Sequence, residues 1–207
     1  MIWLAGYMPF WVTPDVCTFT GIIGAAVIMA GYILSRISPD FLWLASLGFI
    51  INWFGDSLDG TLARYRHIER PKYGYFVDHA VDVLNEMMML VGLGLSYYIR
   101  LDLACLTLCL YLMLSILVFL RTFTNREFNI SYSRLGPTEM RIGMILFNTV
   151  LYFGGLRIIS VSHSVFGRIY FSAYDIVITL FNLGMLFLFI LTAIRESISL
   201  AKTDQPG

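Results

Sequence analysis

Six apolar stretches follow one another along the chain, and short polar segments separate them. They run over Val16–Ser35, Phe41–Thr61, Phe76–Tyr98, Leu101–Leu120, Met140–Leu156 and Ala173–Ala193. A helix of about twenty residues is about 30 Å long, which matches the hydrocarbon core of a bilayer. The pattern therefore predicts an all-α, polytopic integral membrane protein with six transmembrane helices.

The first twelve residues are also apolar, but a helix of that length is too short to cross a bilayer. They include three aromatic residues typical of the membrane interface, Trp3, Tyr7 and Trp11. We expect one domain, made of a short interfacial helix over 1–12, a six-helix bundle over 16–194 and a cytoplasmic tail over 195–207.

Composition agrees with a membrane protein. Of the 207 residues, 58% are apolar and 14% are charged, whereas soluble domains carry about 25% charged residues. The mean hydropathy is +0.75. The formal net charge is zero, so the overall balance predicts no nucleic acid or other polyanionic partner.

The basic residues predict the orientation of the six spans. One side would carry Arg64, Arg66, Arg70, Lys72, Arg121, Arg126, Arg134, Arg141, Arg195 and Lys202. The other side would carry Arg36, Arg100, Arg157 and Arg168. Because basic loops stay in the cytoplasm, we expect both termini and the second loop on the cytoplasmic side.

Four aspartates interrupt the second and third apolar stretches. Asp56 and Asp59 are three residues apart, and Asp78 and Asp82 are four apart, so each pair shares one face of a helix. Each carboxylate at membrane depth costs roughly 2.5–3.5 kcal/mol, and the neighbouring apolar residues offer no matching cations. Two bound Mg²⁺ or Mn²⁺ ions would balance these charges and clamp a pyrophosphate.

Small and basic residues accompany the aspartates. Gly60 and Gly74 have no side chain, which lets a nucleotide lie against the backbone, and Ala63 is small for the same reason. Arg64 is suited to neutralise a phosphate, with Arg70 or Lys72 as helpers.

The pattern Asp56-x2-Asp59-Gly60-x2-Ala63-Arg64-x9-Gly74-x3-Asp78-x3-Asp82 resembles the motif of the CDP-alcohol phosphotransferase family. The resemblance implies a metal-dependent transfer of a substituted phosphate from a CDP-linked donor to a hydroxyl acceptor, with release of CMP. The implied metal ligands are Asp56, Asp59, Asp78 and Asp82. The implied nucleotide pocket comprises Gly60, Ala63, Arg64 and Gly74, with Asp15 and Thr18 at the start of the first span; we add Arg70 to this pocket because of its charge.

Two groups compete for the role of catalytic base. The resemblance implies that Asp82 is the base, because the matching aspartate serves as the base in many members of the family. His79 follows Asp78 directly, and Glu139 lies in a Gly-Pro-Thr-Glu segment, and both features resemble the choline- and ethanolamine-phosphotransferase branch. A carboxylate beside a histidine fixes the tautomer of the imidazole and raises its basicity, so the His79–Glu139 pair stays open as the alternative.

The arginines near the fifth span favour a different branch. Arg134 and Arg141 are suited to bind the phosphate of an acceptor, as in enzymes that combine CDP-diacylglycerol with a phosphorylated alcohol. Arg141 lies inside the span and needs an anionic partner, either a substrate phosphate or an aspartate. The donor and the acceptor, one of which would be a membrane lipid, therefore stay undecided.

Two other classes of function compete with the transferase. Intramembrane carboxylates also mark ion pathways, so a divalent-cation or proton-coupled transporter is the alternative. A catalytically inactive scaffold is the third hypothesis, although all four aspartates are present. We expect a homodimer, and the lack of an organellar targeting segment favours a bacterial cytoplasmic membrane.

Overall fold

The computed structural model of the chain describes residues 1–125, 137–155, 158–164 and 167–203. Seven helices and one hairpin make up this part of the chain. They are α1 (Ile2–Tyr7), α2 (Pro14–Leu34), α3 (Phe41–Tyr65), α4 (Pro71–Leu95), α5 (Leu101–Asn125), α6 (Pro137–Gly154), β1 (Ile158–Ser164), β2 (Gly167–Ser172) and α7 (Ala173–Thr203).

The predicted all-α class is confirmed, but six membrane spans are not. By length and composition, four of the described helices are suited to cross a membrane, namely α2, α3, α5 and α7. Helix α4 carries Asp78, Asp82 and Glu86, and α6 is an 18-residue helix with Glu139 and Arg141 in its first half. These charges lower the hydropathy of both helices.

The sequence did not predict the hairpin between α6 and α7. Strand β1 pairs with β2 in antiparallel register, and Val161 lies opposite Tyr170. The predicted N-terminal helix over residues 1–12 is also shorter than expected, because α1 ends at Tyr7.

Helix α2 begins at an N-cap threonine followed by a proline. Thr13 accepts a hydrogen bond from the backbone N–H of Val16 at 3.3 Å, and Pro14 occupies the first turn, where a missing N–H costs nothing. Helix α4 also has a proline, Pro71, in its first turn, but its N-cap residue Arg70 makes no side-chain capping hydrogen bond. Helix α4 carries Asp78 and Asp82, and α2 contacts both of the helices that carry the four aspartates.

Helices α2 and α3 are in backbone contact. A Cβ atom at Gly24 would lie 2.4 Å from the backbone nitrogen of Asn52, and one at Gly55 would lie 2.4 Å from that of Gly21. Only glycine permits this approach, which small residues commonly allow between membrane helices. The contact fixes the depth and rotation of α3, the helix that carries Asp56 and Asp59.

Polar side chains join the helices inside the bundle. The hydroxyl of Tyr32 on α2 donates to Oδ1 of Asn148 on α6 at 2.8 Å, and Nδ2 of Asn148 donates to Ser46 on α3 at 3.2 Å. Thr107 on α5 donates to Asn182 on α7 at 2.8 Å. Hydrogen bonds of this kind hold membrane helices together where burial from water does not.

Candidate active site

Three carboxylates from two helices converge on one point. Asp56 on α3 and Asp78 and Asp82 on α4 each offer an oxygen, and these oxygens lie within 4.8 Å of one another. Asp56 and Asp82 are partly buried, whereas Asp78 is exposed, with 48% of its side chain accessible. Oxygen-only ligands in such a cluster suit hard divalent cations, so the residues fit the Mg²⁺ or Mn²⁺ that the motif implies.

Asp59, the fourth predicted ligand, has other partners. Its Oδ2 accepts a hydrogen bond from the hydroxyl of Thr18 on α2 at 2.8 Å, and its Oδ1 accepts from the backbone N–H of Gly60 at 2.5 Å. The structure therefore brings three of the four predicted ligands together and places Asp59 beside them. It also ties the predicted residue Thr18 to the motif.

Arg141 is the cation that contacts the cluster. Its Nη1 lies 2.8 Å from Oδ2 of Asp56, and its Nε donates to Oδ1 of Asn52 at 2.9 Å. The arginine thus has an aspartate partner. Asn52 was missed by the sequence analysis, although it lies one helical turn before Asp56 and is polar within an apolar run.

A cavity of about 740 Å³ opens beside the carboxylates. Its walls include Asp56, Asp59 and Asp78. All seven residues that were predicted for the nucleotide pocket also line it: Asp15, Thr18, Gly60, Ala63, Arg64, Arg70 and Gly74. A cavity of this volume is in the range of small-molecule sites.

The two motif glycines leave space in this cavity. Among the described residues, a Cβ atom at Gly74 would meet no atom within 4 Å outside its own helix turn, and the nearest atoms to one at Gly60 belong to the guanidinium of Arg64, at 3.3 Å. Packing within the described protein therefore does not require glycine at position 74. The open volume is instead suited to a ligand that lies against the backbone.

An ion pair joins two residues of the cavity wall. Nη2 of Arg70, just before α4, lies 2.6 Å from Oδ1 of Asp15 in the first turn of α2. The hydrogen bond to Asp15 raises the pKa of the Arg70 guanidinium, which therefore stays charged. The guanidinium also lies 4.1 Å from the ring centroid of Tyr73.

His79 has a defined ring orientation. Its Nδ1 lies 2.9 Å from the carbonyl oxygen of Tyr75, and its ring contacts the rings of Tyr75 and Phe119 at 4.2 and 5.3 Å between centroids. Because a carbonyl only accepts, Nδ1 carries the proton in the neutral ring, and Nε2 is the basic nitrogen.

The other predicted acceptor and base residues lie around α6. Glu139 is exposed in the first turn of α6. Its neighbour Thr138 accepts a hydrogen bond from Trp53 of α3 at 3.2 Å. Arg134, predicted for the acceptor, lies outside the described residues.

Comparison with known proteins agrees with this geometry. The chain is 22% identical over 159 residues to cholinephosphotransferase 1 of Rattus norvegicus, which covers 74% of this chain and 40% of that protein. The human protein of the same name gives the same identity, over 74% of this chain and 39% of that protein. The phosphatidylinositol phosphate synthase of Cutibacterium acnes is 36% identical over 88 residues, which are 42% of this chain and 39% of that protein.

The chain spans about two-fifths of the length of these curated relatives. A sequence model of the family described as CDP-alcohol phosphatidyltransferase matches residues 11–181, a range that contains α2 to α6 and the whole carboxylate cluster. The chain therefore belongs to the CDP-alcohol phosphatidyltransferase family.

Proposed function

We propose that the protein is a metal-dependent phosphotransferase of phospholipid synthesis. It would move a substituted phosphate from a CDP-linked donor to a hydroxyl acceptor and release CMP. The observation that carries the proposal is the cluster of Asp56, Asp78 and Asp82, of which Asp56 and Asp78 line the same cavity as the other motif residues. Family membership favours this class over the transporter or the scaffold.

Asp56, Asp78 and Asp82 would hold the first divalent cation, and Asp59 would help to hold a second. Such cations shield the charge of a pyrophosphate and stabilise displacement at phosphorus. The protein's own part is to keep the carboxylates together on α3 and α4. Thr18 and Gly60 hold the side chain of Asp59 through hydrogen bonds of 2.8 and 2.5 Å.

The cavity residues would bind the nucleotide. Gly60 and Gly74 would let the pyrophosphate and ribose lie against the helix backbones, and the guanidinium of Arg64, which lies over Gly60, would contact a phosphate. Arg70 and Asp15 would close the open end of the cavity through their ion pair. These contacts would orient the donor before the acceptor attacks.

The base that removes the acceptor proton would be Asp82 or His79. Asp82 belongs to the carboxylate cluster. For His79, the hydrogen-bonding distance from Nδ1 to Tyr75 supports a base that acts through Nε2. Glu139, which is exposed in the first turn of α6, would assist His79. Loss of transfer on substitution of one candidate but not the other would distinguish them.

The names of the relatives support two different pairs of donor and acceptor. One relative is named a cholinephosphotransferase and another a phosphatidylinositol phosphate synthase. The proposal therefore covers CDP-diacylglycerol with a phosphorylated alcohol, bound through Arg134 and Arg141, and CDP-choline or CDP-ethanolamine with a lipid alcohol. One of the two substrates is a membrane lipid in either case.

We further propose that α4 and α6 also cross the membrane, which gives six spans in one domain. Helix α4 packs on α2 and α5, and α6 packs on α3, so three of the candidate spans would shield their polar faces from lipid. The active site and both termini would face the cytoplasm of a bacterial cell. The proposal includes a homodimer, with α4 as a candidate contact, on which Val83, Leu84 and Met87 are exposed.

A donor screen tests the function. Purified full-length protein would be mixed with Mg²⁺ or Mn²⁺, a diacylglycerol or phosphorylated-alcohol acceptor, and CDP-diacylglycerol, CDP-choline or CDP-ethanolamine in turn. The expected result is CMP release from one donor, which EDTA abolishes. No CMP from any of the three donors, with each type of acceptor present, would show that the proposal is wrong.

A further inference from the structure

Asn52 is a fully buried polar residue one helical turn below the carboxylate cluster. None of its side chain is exposed, and both of its polar atoms have partners. Nδ2 donates to the carbonyl oxygen of Gly21 on α2 at 2.9 Å, and Oδ1 accepts from Nε of Arg141 on α6 at 2.9 Å. Asn52 therefore connects three helices at the level of the site.

These two contacts require an amide. The carbonyl of Gly21 needs a donor, and the Nε–H of Arg141 needs an acceptor, so only one orientation of the amide satisfies both. Leucine has a similar shape but offers neither group. Replacement by leucine would therefore leave a buried N–H of Arg141 without its partner.

Arg141 transmits the constraint to Asp56. The guanidinium of Arg141 is planar and rigid, so the hydrogen bond from its Nε to Asn52 also fixes the position of its Nη1. Nη1 lies 2.8 Å from Oδ2 of Asp56. A partner of this kind holds a metal-binding carboxylate in one orientation.

We propose that Asn52 is a positioning residue, which holds the guanidinium of Arg141 against Asp56 and so fixes this carboxylate for divalent-cation binding. The inference rests on the metal site of the proposed function. It assigns a role to a residue outside the motif, and it gives Arg141 a task besides the predicted contact with the acceptor.

The affinity for Mn²⁺ tests this role directly. Calorimetric titration of the purified full-length protein with Mn²⁺ would compare the wild type with Asn52→Leu. Loss of a residue that orients a ligand typically weakens metal binding about 10- to 100-fold. We expect a weakening of at least about tenfold. Unchanged or tighter Mn²⁺ binding in the folded variant would overturn the inference.

Asn148 provides a matched control. It is 1% exposed, it also joins three helices through its amide, and its partners Tyr32 and Ser46 lie in the interior of the bundle rather than at the carboxylates. Asn148→Leu should lower the melting temperature yet change Mn²⁺ affinity less than twofold. An equal loss of Mn²⁺ affinity in both asparagine variants would mean that Asn52 acts only through the fold, and would overturn the inference.

If Asn52→Leu does not fold, substitution of Arg141 provides a second test of the positioning role. Arg141→Lys retains the positive charge, but its single ammonium group cannot copy the fixed fork that contacts Asn52 and Asp56 together. It should weaken Mn²⁺ binding as Asn52→Leu does, and unchanged affinity would contradict the inference. In an Arg141→Met background, Asn52→Leu should have less than a twofold further effect, because Asn52 acts through the arginine.

The wild type and Asp78→Asn separate this inference from the proposed function. If the wild type binds no Mn²⁺, or if Asp78→Asn binds it equally well, the metal site itself is wrong. If the wild type binds Mn²⁺ and Asp78→Asn does not, but the Asn52 and Arg141 variants bind it as tightly as the wild type, the metal site stands and the positioning role fails.

Discussion

Replacement of Gly74 by alanine should impair use of the CDP-linked donor without harming the fold. In the part of the chain that the structure describes, a Cβ atom at this position would meet no atom of another element within 4 Å, so the methyl group would enter the cavity rather than a neighbouring helix. Alanine is also the better helix former by about 0.5–1 kcal/mol. We therefore expect equal or slightly higher thermal stability.

The effect on the donor follows from the same methyl group. Overpacking a well-fitted contact costs about 1–3 kcal/mol, which corresponds to a loss of affinity of roughly 5- to 150-fold. We expect the KM of the CDP-linked donor to rise by a factor in this range. The assay is CMP release at varied donor concentration, together with a thermal melt of the same sample.

Gly184 on α7 is the control for this prediction. A Cβ atom there also has no neighbour within 4 Å, but Gly184 is exposed and does not line the cavity. Gly184→Ala should leave the KM of the donor unchanged. An unchanged KM in Gly74→Ala as well would refute the assignment of this cavity to the nucleotide.

Three further predictions concern the base, the helix contact and the metal. If His79 is the base, His79→Ala and Glu139→Ala should each lower kcat by about 10²- to 10⁴-fold, whereas retained activity in both would return the role to Asp82. Gly24→Ala should lower the free energy of unfolding by about 1–3 kcal/mol, because its methyl group would lie 2.4 Å from a backbone nitrogen of α3. Unchanged stability in a denaturation assay would contradict the backbone contact between α2 and α3. Removal of divalent cations with EDTA should abolish CMP release, and added Mg²⁺ or Mn²⁺ should restore it; release that persists in EDTA would exclude metal dependence.

The helices and the motif were predictable because they depend on local sequence. Apolar runs of about twenty residues set the helix positions, and the spacing of Asp56, Asp59, Asp78 and Asp82 sets which of them share a helix face. The hairpin over Ile158–Ser172 was missed, although the alternation in I-I-S-V-S-H-S is a period of two that favours a strand.

The partners of the charged groups were not predictable in the same way. Whether Asp59 faces the other carboxylates or Thr18 depends on how α2 lies against α3, and a pair of glycine contacts sets that position. The partner of Arg141 depends on the rotation of α6, whose residue 141 is 85 positions from Asp56 along the chain. Helix periodicity shows which residues share a face of one helix, but it does not show which neighbouring helix packs against that face.

The central claim is that the cluster of Asp56, Asp78 and Asp82 carries out metal-dependent transfer from a CDP-linked donor. The most direct measurement is CMP release by the purified protein with Mn²⁺, acceptor and the active donor, in the wild type and in Asp78→Asn. We predict CMP release by the wild type only, with both proteins folded by their thermal melts. Equal CMP release by a folded Asp78→Asn variant would contradict the account.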